Sequence, residues 1–166
     1  MNTTPNHRRT RQLTQGALIA ALYVLLTWLA HQFGLDSGAI QIRLSEALTI
    51  LPCFTPAAIP GLAIGCLIAN VLGGCTIFDI VFGTLATLLA AVCTRRLRHR
   101  LVLASAMPVI FNGVIIGAVV HYAYAPVIPL LLCMLLVALG EAIACMLLGP
   151  MVLRAVKRIP AKMLHS

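Results

Sequence analysis

Six polar residues lie within or at the rims of otherwise apolar stretches: Arg43, Glu46, Asn70, Asp79, Asn112 and Glu141. A carboxylate at the centre of a bilayer costs about 2.5–3.5 kcal/mol on insertion scales, so such groups persist where they face a cavity or a partner. Together the six supply carboxylate acceptors, amide donors and acceptors, and one guanidinium, which is an inventory for gripping a polar ligand. They do not make a catalytic set. There is no base–nucleophile pattern, no H-E-x-x-H and no metal-ligand spacing. The expectation is therefore binding without chemistry, with no catalytic residue, no metal and no cofactor.

The elements that must carry these residues follow from composition. Of 166 residues, 61% are hydrophobic and 10% are charged, against about 45–50% and about 25% in soluble domains. One soluble core cannot hide that excess, and the class left is an all-α integral membrane protein. Apolar stretches run over 14–33, 44–55, 57–74, 76–94, 101–121 and 127–153. Pro52, Pro56 and Pro60 interrupt the second and third, because proline removes a backbone donor and breaks a helix. The pattern predicts six spans, with the second helix short or tilted. At about 1.5 Å per residue, Asn112 and Glu141 lie roughly 16 and 18 Å from the inner ends of their helices, near the midplane. Asn70 falls in the outer half, and Glu46 and Asp79 fall at the outer edge beside Arg43. The set describes a pocket open to the outside.

Charge supports the count. Arg8, Arg9 and Arg11 precede the first stretch; Arg95, Arg96, Arg98 and Arg100 cluster mid-chain; Arg154, Lys157, Arg158 and Lys162 close it. Cytoplasmic loops retain Lys and Arg, and six spans with both termini cytoplasmic put 11 of the 12 basic residues inside. Five spans would place 9 there at best. The clusters carry no interleaved aromatic residues for base stacking, so no nucleic-acid partner is implied. The organisation expected is a tail over 1–13, a six-helix domain over 14–154 and a basic tail over 155–166. The first stretch is longer than the core of a cleavable signal and lacks a small-residue cleavage site.

The six cysteines include no C-x-x-C pair and read as small packing residues. No G-K-[ST] phosphate loop exists, so uphill transport would draw on an ion gradient or on another subunit. Small residues recur along the acid-bearing faces, as in Ala138, Glu141, Ala142, Cys145 and Gly149, or Asp79, Gly83, Ala86, Thr87 and Ala90. Such faces let helices approach closely in lipid. Trp28 and Tyr122 suit an outer interfacial belt, and His31 and His121 suit solvent. An Arg43–Glu46 or Arg43–Asp79 pair at the membrane edge would account for one acid, but not for Glu141.

The run I-Q-I-R-L-S-E-A-L (40–48), then P-G-L-A-I-G-C-L-I-A-N-V-L-G-G (60–74), then F-D-I-V-F-G-T-L-A-T-L-L-A (78–90) resembles the queuosine-precursor transporter family. P-V-I-F-N (108–112) and G-E (140–141) follow in the expected order. The resemblance covers residues 14 to 154. It implies a substrate-binding S component of an energy-coupling-factor (ECF) transporter in a bacterial cell membrane, with six helices and both termini cytoplasmic. It further implies a scaffold membrane subunit and two cytoplasmic ATPases as partners, which accounts for the missing phosphate loop. Ala17 and Ala21 match the A-x-x-x-A positions that contact the scaffold in such families.

The resemblance also implies a 7-deazaguanine as substrate: queuine or the aminomethyl or cyano form. A guanine-type edge presents N–H and NH2 donors that an ionised carboxylate accepts as a bidentate pair. Asn70 or Asn112 could donate to the ring carbonyl, and a second acid could meet an aminomethyl cation. The rival is a self-contained carrier with Glu141 as a proton-coupling site, since intramembrane acids also serve as proton relays.

Overall fold

The computed structural model describes residues 5–35 and 42–158. Residues 1–4 and 159–166 of the two expected tails, and positions 40 and 41 of the first motif, lie outside the described residues. All regular structure among the described residues is helical. Helix α1 spans Pro5–Gln32, α2 Ala58–Leu72, α3 Thr84–Arg96, α4 Leu101–Val119 and α5 Leu130–Lys157. Between α1 and α2 runs a 3-10 helix, Leu44–Cys53. A π-helical turn over Asp79–Gly83 leads into α3, and another over Val120–Tyr124 follows α4.

Three helical stretches are long and apolar enough to cross a membrane: Asn6–Gln32, Leu101–Tyr124 and Leu130–Val156. Their outer faces expose Leu18, Leu25, Ile110, Val114, Leu131 and Leu135, an apolar surface too wide for water and suited to lipid tails. The second apolar stretch is different. Ten residues in 3-10 geometry rise about 20 Å, short of the roughly 30 Å hydrocarbon core. Ser45 to Cys53 are all buried, because all five α-helices pack around this segment. It is the central post of the bundle. Non-α backbone at membrane depth is tolerated where protein encloses it. Thr49 Oγ1 donates to the Glu46 carbonyl three residues back (2.5 Å), a spacing that suits the tighter helix.

The small-residue stripes set the helix contacts. A Cβ on Gly61 would come within 2.7 Å of the Gly16 carbonyl, and one on Gly65 within 2.7 Å of Tyr23 Cβ, so α1 and α2 touch nearly backbone to backbone. On the other side, Gly117 lies against the Met134 backbone and Gly113 against Ala138, joining α4 to α5. Pro108 cannot donate to the Ala104 carbonyl one turn back. The Thr94 hydroxyl does so instead (3.1 Å), tying α3 to α4. Gly74, at φ +66°, closes α2 in a left-handed turn, with the Gly74 and Cys75 amides donating to the Val71 and Asn70 carbonyls. That turn brings Asp79 back over Asn70.

Candidate ligand-binding site

The six residues form two tiers. The outer tier is a cavity of about 490 Å³ whose walls include Arg43, Asn70 and Asp79, together with Thr27, Trp28, His31 and Tyr124. That volume lies within the roughly 300–1,000 Å³ typical of small-molecule sites. The inner tier is Glu46, Asn112 and Glu141, at 0%, 1% and 2% exposure. Arg43 joins the tiers: it lines the cavity and interacts electrostatically with Glu141, Glu46 and Tyr23.

Asp79 is held by its own neighbours. Its Oδ2 accepts from the Thr76 hydroxyl (2.8 Å) and from the Tyr124 hydroxyl, while its amide donates to Thr76 Oγ1 (3.4 Å). Thr-x-x-Asp at a helix start is a capping arrangement, so Asp79 has a structural task beside any ligand contact. Asn70 Nδ2 donates to the Asp79 carbonyl (3.1 Å). A Cβ on Gly83 would approach that same nitrogen to 2.9 Å, so the glycine leaves room for the amide.

The inner tier has spare hydrogen-bonding capacity. Tyr23 donates its hydroxyl to Glu46 Oε1 (2.5 Å), and one turn on, Thr27 donates to Ser45 Oγ (2.9 Å). Both bonds clamp α1 to the 3-10 helix. Glu46 and Glu141 interact electrostatically, and Asn112 lies beside both acids. Yet Glu46 Oε2, Glu141 Oε2 and Asn112 Nδ2 are buried without a well-formed hydrogen bond from the protein. A buried polar group left in this state costs about 1–3 kcal/mol, and native interiors seldom carry three together. The Asn112 amide already lies against both carboxylates, so a ligand with an N–H edge and a carbonyl would replace these poorly formed contacts with better ones.

Glu46 is fully buried inside the bundle rather than paired at an exposed rim. The 3-10 helix that carries it is enclosed on every side, which sets the acid beside Glu141. Sequence reasoning missed Tyr23 and Tyr124; Trp28 and His31, expected at the outer interface and in solvent, are exposed and also line the cavity. Ala17 and Ala21 are exposed and line an apolar groove between α1 and α2 with Leu25, Ile64 and Ile68.

Residues 13–158 match the family described as QueT transporter. The chain belongs to the QueT transporter family. The matched range contains all six polar residues and both alanines. The queuosine precursor transporter QueT of Lactococcus lactis subsp. cremoris (strain MG1363) is 38% identical over 80 residues, or 48% of this chain. The chain spans about half of that relative, 47% of its length. No solved structure matches significantly. Family membership and the long apolar helices make this a multi-pass membrane protein of a transporter family.

Proposed function

We infer that the chain is the substrate-binding S component of an ECF importer for queuosine precursors, capturing a 7-deazaguanine from the outer side of a bacterial cell membrane. It has six membrane-embedded helical segments, the second being the short, enclosed 3-10 helix, with both termini cytoplasmic. It does no chemistry. A scaffold subunit docks on the groove at Ala17 and Ala21, and two cytoplasmic ATPases supply the energy.

The observation that carries this reading is the buried trio Glu46 Oε2, Asn112 Nδ2 and Glu141 Oε2, which Arg43 links electrostatically to the cavity that it lines with Asn70 and Asp79. The carboxylates accept from the N–H and NH2 groups of a guanine-type edge, and Asn112 donates to its carbonyl. Asp79, at the mouth, faces the substituent on the five-membered ring. Calorimetry with queuine and its aminomethyl and cyano relatives tests the reading directly: saturable binding of at least one is expected, and binding of none would overturn it.

The electrostatic interaction between Glu46 and Glu141 also suits a proton-coupled carrier. ATP-dependent uptake that needs co-purifying ATPases supports the S component. Uptake by the chain alone, abolished by a protonophore, supports the carrier.

A further inference from the structure

At the inner end of the 3-10 helix, Arg95 Nη1 donates to the carbonyls of Pro52 (3.0 Å) and Cys53 (3.1 Å). These are the last two carbonyls of Leu44–Cys53, the kind that a helix end leaves without a partner. The carbonyl before them, on Leu51, is taken by the amides of Phe54 and Thr55 (2.9 and 3.0 Å). Arg95 completes the cap, and its charge meets the negative end of the helix dipole. A second tie lies alongside: Cys53 Sγ points to the Thr94 carbonyl (3.7 Å), and Ile50, Cys53 and Ala104 pack with Leu97 and Val152. The inner end of the post is thus pinned to the corner between α3 and α4.

The other end of the same post carries Glu46, about 14 Å away at about 2.0 Å per residue. Hydrogen bonds in a 3-10 helix are poorer than in an α-helix, so its register depends on what grips its ends. Tyr23 and Thr27 grip the outer end, and Arg95 grips the inner one. The sequence presents Arg95 only as one of four clustered arginines, whose work is to keep a loop in the cytoplasm. Its three neighbours Arg96, Arg98 and Arg100 are exposed, whereas Arg95 reaches back into the bundle.

We propose that Arg95 is a positioning residue for ligand capture: by capping the 3-10 helix it fixes that helix along its axis, and so holds Glu46 in place beside Asn112 and Glu141. This rests on the reading of those three residues as the deep ligand contacts. The test measures calorimetric binding of 7-aminomethyl-7-deazaguanine, and thermal unfolding, on the full chain in detergent. Four variants are compared: Arg95→Ala, Arg95→Lys, Arg96→Ala and Glu141→Gln. Arg95→Ala should bind about tenfold more weakly, the loss expected when a buried hydrogen-bonded contact is misplaced. Arg96→Ala, with the same change in charge, should bind like the wild type. Arg95→Lys should recover most of the loss, because an ammonium still brings charge and donors to the carbonyls. An Arg95→Ala protein that melts earlier yet binds at wild-type affinity would make the cap purely structural and overturn the proposal. If Arg95→Ala does not fold, Arg95→Gln takes its place: weaker binding than Arg95→Lys is expected, and equal binding overturns the proposal. Weak binding by Glu141→Gln with normal binding by Arg95→Ala sinks this proposal alone. Normal binding by both sinks the underlying site reading as well.

Discussion

Tyr23 on α1 spends its hydroxyl on one oxygen of Glu46, 2.5 Å away, and leaves the other oxygen of that carboxylate buried without a well-formed hydrogen bond. The tyrosine is 2% exposed and the glutamate 0%, so neither has water to turn to. The bond therefore fixes which way the acid faces. Phenylalanine at position 23 would keep the ring and delete the donor, leaving a second unpaired oxygen at a cost of about 1–3 kcal/mol. Tyr23→Phe should lower both melting temperature and ligand affinity, the latter by about tenfold. Calorimetry on the folded variant checks this, and unchanged affinity would mean that something other than Tyr23 orients Glu46.

Topology gives the second prediction. In a variant stripped of native cysteines, a cysteine placed at His99 among the exposed arginines should stay protected from an impermeant reagent in intact cells. Permeabilised cells should label. Labelling from outside would remove the six-span arrangement.

The groove at Ala17 and Ala21 gives the third. Both alanines are exposed whereas Tyr23 of the same helix is buried, so α1 offers one face to lipid or a partner and another to the site. Replacing both with Trp should block close helix approach without touching the site. Substrate binding by the isolated chain should persist while ATP-driven uptake fails; uptake at the wild-type rate would place docking elsewhere.

Two glycines of α4 and α5 test the packing. A Cβ at Gly117 would sit 2.5 Å from Met134 Cα, whereas one at Gly149 meets nothing within 4 Å. Gly117→Ala should destabilise by about 1–3 kcal/mol through overpacking. Gly149→Ala should be neutral or stabilising, since alanine favours a helix over glycine by roughly 1 kcal/mol. Thermal unfolding of the two variants side by side distinguishes them; equal melting temperatures would mean that α4 and α5 do not meet at Gly117.

Much of this architecture was legible because charge in an apolar run is costly and therefore conspicuous. Glu141, Asn112, Asn70 and Asp79 stand out on that ground alone, and the prolines at 52, 56 and 60 mark the short second element. What could not be read is how helices turn relative to one another. Tyr23 has the composition of an ordinary membrane-helix residue, and only its facing the 3-10 helix makes it a partner of Glu46. A 3-10 geometry over ten residues has no periodicity strong enough to announce itself, so Glu46 reads as an edge residue when it is enclosed. The two π turns are equally silent, and with them goes the Tyr124–Asp79 contact. Arg95 shows the limit most plainly, because a charge that satisfies a topology rule gives no hint of a second use.

The account rests most heavily on Glu141, which is 2% exposed and whose Oε2 lacks a well-formed hydrogen bond. Glu141→Gln keeps the shape but replaces one acceptor oxygen with a donor, so a donor would face the donor edge of the ligand. The mismatch should cost about 1–3 kcal/mol, and more where charge is lost. Calorimetric titration of the purified variant with 7-aminomethyl-7-deazaguanine, beside the wild type, should show affinity reduced by about tenfold to over a hundredfold, with folding preserved because an amide is cheaper than a carboxylate to bury. Wild-type affinity in a folded Glu141→Gln protein would contradict the account and move the ligand out of the Glu46–Asn112–Glu141 interior.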